Sequence, residues 1–248
     1  MRPVSAGELL AAWELGRGRG PQEKALALLR AACPETPGEV LADLPLGERD
    51  RRLLRLREQV FGPRLTGVAA CPGCGERWEV DLGTAELGLE PEGGGGAPPD
   101  TPILCQHDGY ALTLRLPTGR DLIAAGQAPD LRAAREVLRD RCIVSARQGA
   151  DTVAMGDLPP EVVAAAMARL AQADPQADVQ LALTCPACTH HWQVTFDIAT
   201  FLWTELQAWG ERLLRQVHVL ARAYGWREAD ILALSPWRRQ FYLEMVGS

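Results

Sequence analysis

The sequence predicts an α+β fold, with helical N- and C-terminal parts around a small antiparallel β region that carries a zinc-ribbon-like pair of knuckles. Two observations lead there. Apolar residues recur at steps of three and four along both ends of the chain, whereas apolar/polar alternation is confined to the middle. In that middle a cysteine motif occurs twice. Cys71-Pro72-Gly73-Cys74 leads to Trp78-Glu79-Val80, and Cys185-Pro186-Ala187-Cys188 leads to Trp192-Gln193-Val194. Both read C-P-x-C-x-x-x-W-x-V and start 114 positions apart.

Composition narrows the function classes. Of 248 residues, 47% are apolar and 23% charged, which is ordinary globular usage and excludes wholesale disorder. The longest apolar run, Val162 to Ala168, is far too short for a membrane span. Glu8 interrupts the one apolar stretch near the start, so no secretory signal is read and a bacterial cytoplasmic location is expected. Charge is uneven: residues 1–70 carry +2, 71–198 carry −9 and 199–248 carry +1 of the net −6. An acidic middle with no dense basic stripe elsewhere opposes a nucleic-acid partner.

Taken in order, residues 1–64 read as a helical N-terminal region. Ser5 caps a helix over Ala6 to Leu15, Pro21 opens another through Ala32, and Leu46 to Phe61 carries Leu53, Leu54, Leu56 and Val60 between charged residues. Residues 65–87 form the first knuckle, with Trp78, Val80 and Leu82 alternating on the outgoing strand. Residues 88–100, with four consecutive glycines and three prolines, read as a linker. Residues 101–178 hold a β-hairpin plus helices. Ile103 to Cys105 and Tyr110 to Leu116 flank an Asp108-Gly109 turn, and Thr118 to Asp121 fits a capping box. Helices then cover Asp130 to Ala146 and Pro160 to Ala173. Residues 179–198 are the second knuckle, with Val179, Leu181 and Leu183 leading in and Trp192, Val194, Phe196 and Ile198 leading out.

Residues 199–248 are a helical C-terminal interaction region. Leu202, Leu206, Trp209, Leu213, Val217, Leu220 and Tyr224 mark one face of a long helix ended by Gly225. A short helix through Ile231 to Leu234 follows, and Ser235-Pro236 opens the last one. The aromatic residues off the long stripe admit two readings, a helical core or a protein-binding surface. On the second reading Trp203, Trp226, Trp237 and Phe241 contact a partner, with Arg238 and Arg239 among them.

Chemistry concentrates in four cysteines. A hairpin tip with two cysteines two apart presents both thiolates to one point, and two such tips make a tetrahedral site of four sulfurs. Cys71, Cys74, Cys185 and Cys188 are therefore expected to hold one structural zinc. A redox dithiol and a bare, vestigial site are the alternatives. His190 and His191 lie beside the second knuckle but have no counterpart at the first, which favours a set of cysteines alone. A closed four-sulfur site leaves no position for substrate, and no catalytic or nucleotide-binding fingerprint occurs, so no enzyme is expected. Cys33, Cys105 and Cys142 read as buried small hydrophobes.

Several segments together resemble a known family. They are Gly47 to Gly62 leading into Cys71-Pro72-Gly73-Cys74-Gly75, the run Leu114-Arg115-Leu116-Pro117-Thr118-Gly119-Arg120-Asp121-Leu122, the second knuckle, and Leu213 to Leu243. Over residues 45–246 the chain is similar to the baseplate and baseplate hub assembly proteins of T-even-like phages and phage-like contractile injection systems. The resemblance implies a structural or chaperone-like role in the baseplate, other baseplate or hub proteins as partners, and no enzymatic activity. A zinc-ribbon nucleic-acid-binding regulator is the competing class, opposed by the charge distribution.

Overall fold

The computed structural model describes residues 1–87 and 101–247. The linker read at 88–100 lies outside them. The chain divides into two units, Met1–Pro37 with Ile198–Ser248, and Gly38–Asp197. The region 1–64, read from the sequence as one helical segment, is thus shared between the units, and its first two helices belong with the C-terminal ones.

The first unit is all helical. α1 (Ala6–Gly16) starts at Ser5, whose side chain and that of Glu8 cap each other's backbone N–H, as the sequence led one to expect. α2 (Pro21–Ala32) follows through a short turn and packs on α1. Both lie against α8 (Ile198–Tyr224), a 27-residue helix that buries Leu202, Leu206, Leu213, Val217 and Leu220. Gly225, at φ 68, ends it. α9 (Glu228–Ala233) and α10 (Pro236–Gly247) fold back on α8, with Val217, Leu220 and Ile231 at their joint core. Because α8 meets both α1 and α2 as well as the helices that follow it, its buried arc is wider than a single stripe and takes in Trp203, which is 7% exposed. Gly16 accepts that ring: a Cβ there would lie 2.3 Å from Trp203 Cη2.

Among its described residues the second unit contains α3 (Gly38–Ala42), α4 (Leu46–Phe61) and eight strands. β1 (Arg64–Ala70) and β2 (Arg77–Gly83) form one hairpin; β7 (Val179–Thr184) and β8 (His191–Phe196) form another. Between them in sequence lies an antiparallel sheet ordered β3 (Ile103–His107), β4 (Tyr110–Leu114), β5 (Ile143–Gln148), β6 (Asp151–Thr152). Asp108 and Gly109 both have positive φ, as a two-residue hairpin turn requires. α5 (Gly119–Gly126) and α6 (Leu131–Cys142) connect β4 to β5, and α7 (Pro160–Ala173) covers the sheet. Ile103, Leu112, Leu114, Ile143, Val162, Ala166 and Leu170 form the core between α7 and the sheet, where Cys105 and Cys142 behave as small hydrophobes. Cys33 is buried likewise in the helical unit.

Two boundaries differ from the sequence reading. The helix expected over Asp130 to Ala146 stops at Cys142, and β5 takes over. Ile143 and Val144 are β-branched, and β4 offers them a ladder from Tyr110↔Gln148 to Leu114↔Ile143. Ile198, read as the end of a strand, is instead the first residue of α8.

The run Arg115 to Asp121 ties this unit together. Asp121 is buried and accepts two hydrogen bonds from Arg115 at 2.7 and 2.8 Å, one from Arg141 at 2.6 Å, and one from the Thr118 N–H at 2.8 Å. Burial would raise its pKa, but the two guanidiniums hold its carboxyl well below the usual carboxylate range. Arg120 reaches Asp43 at 2.6 Å and pairs with Glu39, while the Leu46 N–H donates to Pro117 O at 3.0 Å. One short segment therefore fastens α3 and the start of α4 to the sheet.

Candidate metal centre

The two hairpins are copies of one design. The pairs from Leu65↔Leu82 to Ala70↔Arg77 recur as Val179↔Phe196 to Thr184↔His191, each 114 positions on. Their tips agree in backbone detail. The Cys71 N–H donates to Glu76 O at 2.8 Å and the Gly75 N–H to Cys71 O at 2.9 Å. At the second tip the Cys185 N–H donates to His190 O at 2.9 Å and the Thr189 N–H to Cys185 O at 3.0 Å. This turn needs a left-handed residue after the second cysteine. Gly75 supplies it at φ 78, and Thr189, at φ 59, adopts it despite its branched Cβ.

The tips bring Cys71, Cys74, Cys185 and Cys188 together with their sulfurs all within 4.8 Å of one another. Cys71 Sγ lies 3.6 Å from Cys188 Sγ, and Cys74 Sγ lies 3.6 Å from Cys185 Sγ. All four are free thiols. Metal–sulfur bonds of about 2.3 Å in a tetrahedron imply sulfur separations of about 3.8 Å, so this donor set fits a tetrahedral ion. The four cysteines can hold a metal ion, and doing so would use every position of a four-coordinate site.

Electrostatics point the same way. Burial by itself would push the Cys71 thiol up, but the N–H groups of Cys74 and Gly73 aim at its sulfur and bring it down to about 7. The Glu76 N–H favours the Cys74 thiolate, yet the neighbouring sulfurs outweigh it and push that thiol up to about 12. Four sulfurs this close cannot all carry charge unaided; a central cation removes that penalty.

Around the sulfurs the hairpins interlock. Trp78 and Trp192, equivalent in the two motifs, meet edge-to-face with centroids 5.5 Å apart. His190 stacks on Trp192 at 5.9 Å, and His191 Nδ1 lies 2.8 Å from Thr184 Oγ1. Neither histidine belongs to the group that can hold a metal. The periodic tryptophan in the motif was visible in the sequence, but its partner across the two hairpins was not.

The residues expected at a partner surface are placed less uniformly. Trp237 and Phe241 are exposed and stacked at 5.7 Å, and Arg238 is exposed beside them. Trp226 is half-buried. Two members need correction as surface residues. Trp203 is in the helical core with Lys24 Nζ 5.0 Å above its ring, because α8 packs on α1 and α2 together. Arg239 is 4% exposed and donates to Leu234 O at 2.9 Å, because its position on α10 faces the end of α9. Tyr224, placed on the buried stripe of α8 by its spacing, is instead 37% exposed, since that stripe is covered only as far as Leu220.

Fold and centre together define an α+β protein in which two equivalent hairpins, far apart in sequence, converge on a closed four-thiol site. The chain belongs to the family described as T4 bacteriophage base plate protein, whose family model matches residues 6–203. That match spans both hairpins, the whole sheet unit and the start of α8. No curated protein and no solved structure matches the chain. No helix among the described residues is long and apolar enough to cross a membrane.

Proposed function

We propose that this protein is a non-enzymatic structural or assembly component of the baseplate of a phage-like contractile tail or injection particle, built around a structural zinc. The observation that carries this reading is the family match over residues 6–203 with the paired hairpins inside it. A four-thiolate tetrahedron suits zinc, which asks for no further geometry, and a filled coordination shell suits structure over hydrolysis. The metal cross-links two hairpins that 110 residues separate, Cys74 to Cys185, and so stiffens the unit that the family model covers. Such a unit meets other baseplate or hub proteins in the cytoplasm of the producing cell, as a chaperone-like factor or as a resident of the particle.

Removing the chain from a producing cell tests this. The expected result is loss of complete baseplates, with mass spectrometry of wild-type particles and assembly intermediates locating the chain. Normal particles without it, and its absence from every intermediate, would overturn the proposal.

A further inference from the structure

The likeness of the two hairpins extends back through the helices before them. Residues 43–83 align with 157–197 at the same offset of 114 without a gap, and ten of the 41 pairs are identical. They are Asp43-Leu44-Pro45 with Asp157-Leu158-Pro159, Arg55-Leu56 with Arg169-Leu170, and the five fixed residues of the cysteine motif. The structure keeps this register. Leu46 opens α4 and Pro160 opens α7, Ala70 closes β1 and Thr184 closes β7, and Arg77 opens β2 and His191 opens β8. Pro45 and Pro159 precede the helices with nearly the same backbone, φ −51° and ψ 145° against φ −58° and ψ 144°. Leu44 and Leu158 are both buried, as are Leu56 and Leu170. Exposure alternates in phase along the incoming strands, with Thr66, Val68 and Ala70 in water and Gln180, Ala182 and Thr184 likewise.

At the thiol cluster the copies are related by exchange. A two-fold rotation that carries Cys71 onto Cys185 and Cys74 onto Cys188 also carries the Cys71–Cys188 contact onto the Cys74–Cys185 contact. Both sulfur separations are 3.6 Å. Burial obeys the same rotation: Cys71 and Cys185 are 3% and 1% exposed, whereas Cys74 and Cys188 are both exposed. Trp78 and Trp192 are mates under it, and they touch. The copies have diverged on their helices. Val162 and Ala166 of α7 join the core under the sheet, while the matching positions of α4 are Glu48 and Arg52, bonded to each other at 2.7 Å.

We propose that the metal-binding unit is an internal dimer. Residues 43–83 and 157–197 are two copies of one helix–hairpin module, joined about a local two-fold axis through the thiol cluster. Each copy supplies half of the site, one inner and one outer sulfur, and the two tips are interchangeable. The proposal rests on the reading of the four thiols as a metal site and adds how that site is divided. One surface meeting its own copy around a two-fold axis is the usual way identical chains associate, and here both copies lie in one chain. Two unrelated hairpins arriving at the same site would need only the cysteines and the turn. Nothing in that would set Asp-Leu-Pro and a helix start 114 positions apart as well. The copies also show what the site does not require: Gly75 fills the left-handed tip position in one, so the strain at Thr189 in the other is dispensable.

The test uses the full chain with cobalt as the probe ion, its absorption reporting tetrahedral thiolate binding. Cys71→Ser and Cys185→Ser should each lower cobalt affinity by roughly tenfold or more, and by the same factor; Cys74→Ser and Cys188→Ser should likewise match each other. Losses unequal between these mates, or grouped by hairpin, would overturn the proposal. In a second arm, Ala187→Gly, Thr189→Gly, His190→Glu and His191→Arg together place the first tip at both sites. That chain should hold one cobalt and melt at or above the parent, because the left-handed threonine is gone. The reciprocal chain, with Gly73→Ala, Gly75→Thr, Glu76→His and Arg77→His, should also hold one cobalt but melt lower, because position 75 has φ 78. Loss of the ion from either chain would overturn the proposal. Any such failure with a cobalt-loaded parent defeats the internal dimer alone, whereas a parent that takes up no cobalt defeats the metal reading as well.

Discussion

Stripping the metal, or replacing Cys71 with Ser, should destabilise the whole sheet unit and not one hairpin tip. The magnitude follows from the topology. Cys74 and Cys185 enclose 110 residues, and a cross-link closing a loop of that length removes unfolded-chain entropy equivalent to about 5 kcal/mol. Treating the metal as such a link gives an upper bound, since the Trp78–Trp192 contact and the sheet core survive its removal. A loss of about 3–5 kcal/mol is expected, a large share of the roughly 5–15 kcal/mol of an ordinary domain. The assay compares chemical denaturation of loaded, chelator-treated and Cys71→Ser protein, with metal content measured on the same samples. Because one ion uses both tips, Cys71→Ser and Cys185→Ser should lose metal and stability alike, whereas Cys33→Ser should retain its metal. Equal unfolding midpoints for loaded and stripped protein, or full metal retention after Cys71→Ser, would refute the reasoning.

Other outcomes follow from the same geometry. Asp121→Asn should destabilise by about 2 kcal/mol at pH 7, less than a fully buried pair would lose, because Arg115 and Arg141 are 37% and 43% exposed and can rehydrate. The folded carboxyl titrates below its unfolded value near 4, so its contribution is complete above about pH 4 and fades as pH falls further. Acid titration of stability should therefore be shallower in Asp121→Asn than in the parent. Gly16→Ala should cost about 1–3 kcal/mol in the helical unit, read by thermal melting and tryptophan fluorescence, because its methyl group collides with the buried Trp203 ring. Duplex DNA should bind more weakly than micromolar at about 0.15 M salt, given the −9 charge of residues 71–198; tight binding with a steep salt slope would favour the nucleic-acid reading.

Much of the local structure is written in short-range signals. Ser5, Pro21, Thr118 and Gly225 mark helix ends because capping and backbone sterics act within a few residues. The four-thiol cluster was legible for a similar reason: the C-P-x-C spacing shapes one tip by itself, and its recurrence supplies the other pair of sulfurs. Where propensity and partner compete, local reading fails. Ile143 continues a helical pattern until β4 stands beside it, and then the ladder wins.

By itself, then, the sequence determined the helical ends, the two hairpins and the four thiols, because each depends on periodicity or on residues a few positions apart. Only the tertiary structure decided which rings meet water. Trp203 and Trp237 are both tryptophans off the long stripe of α8, yet one lies under α1 and α2 and the other stands on the outer face of α10. It likewise decided that α1 and α2 join the C-terminal helices instead of α4, and that Arg115, Thr118 and Arg141 converge on Asp121. Burial is a property of what covers a residue, and the helices that cover Trp203 come from more than a hundred positions away along the chain.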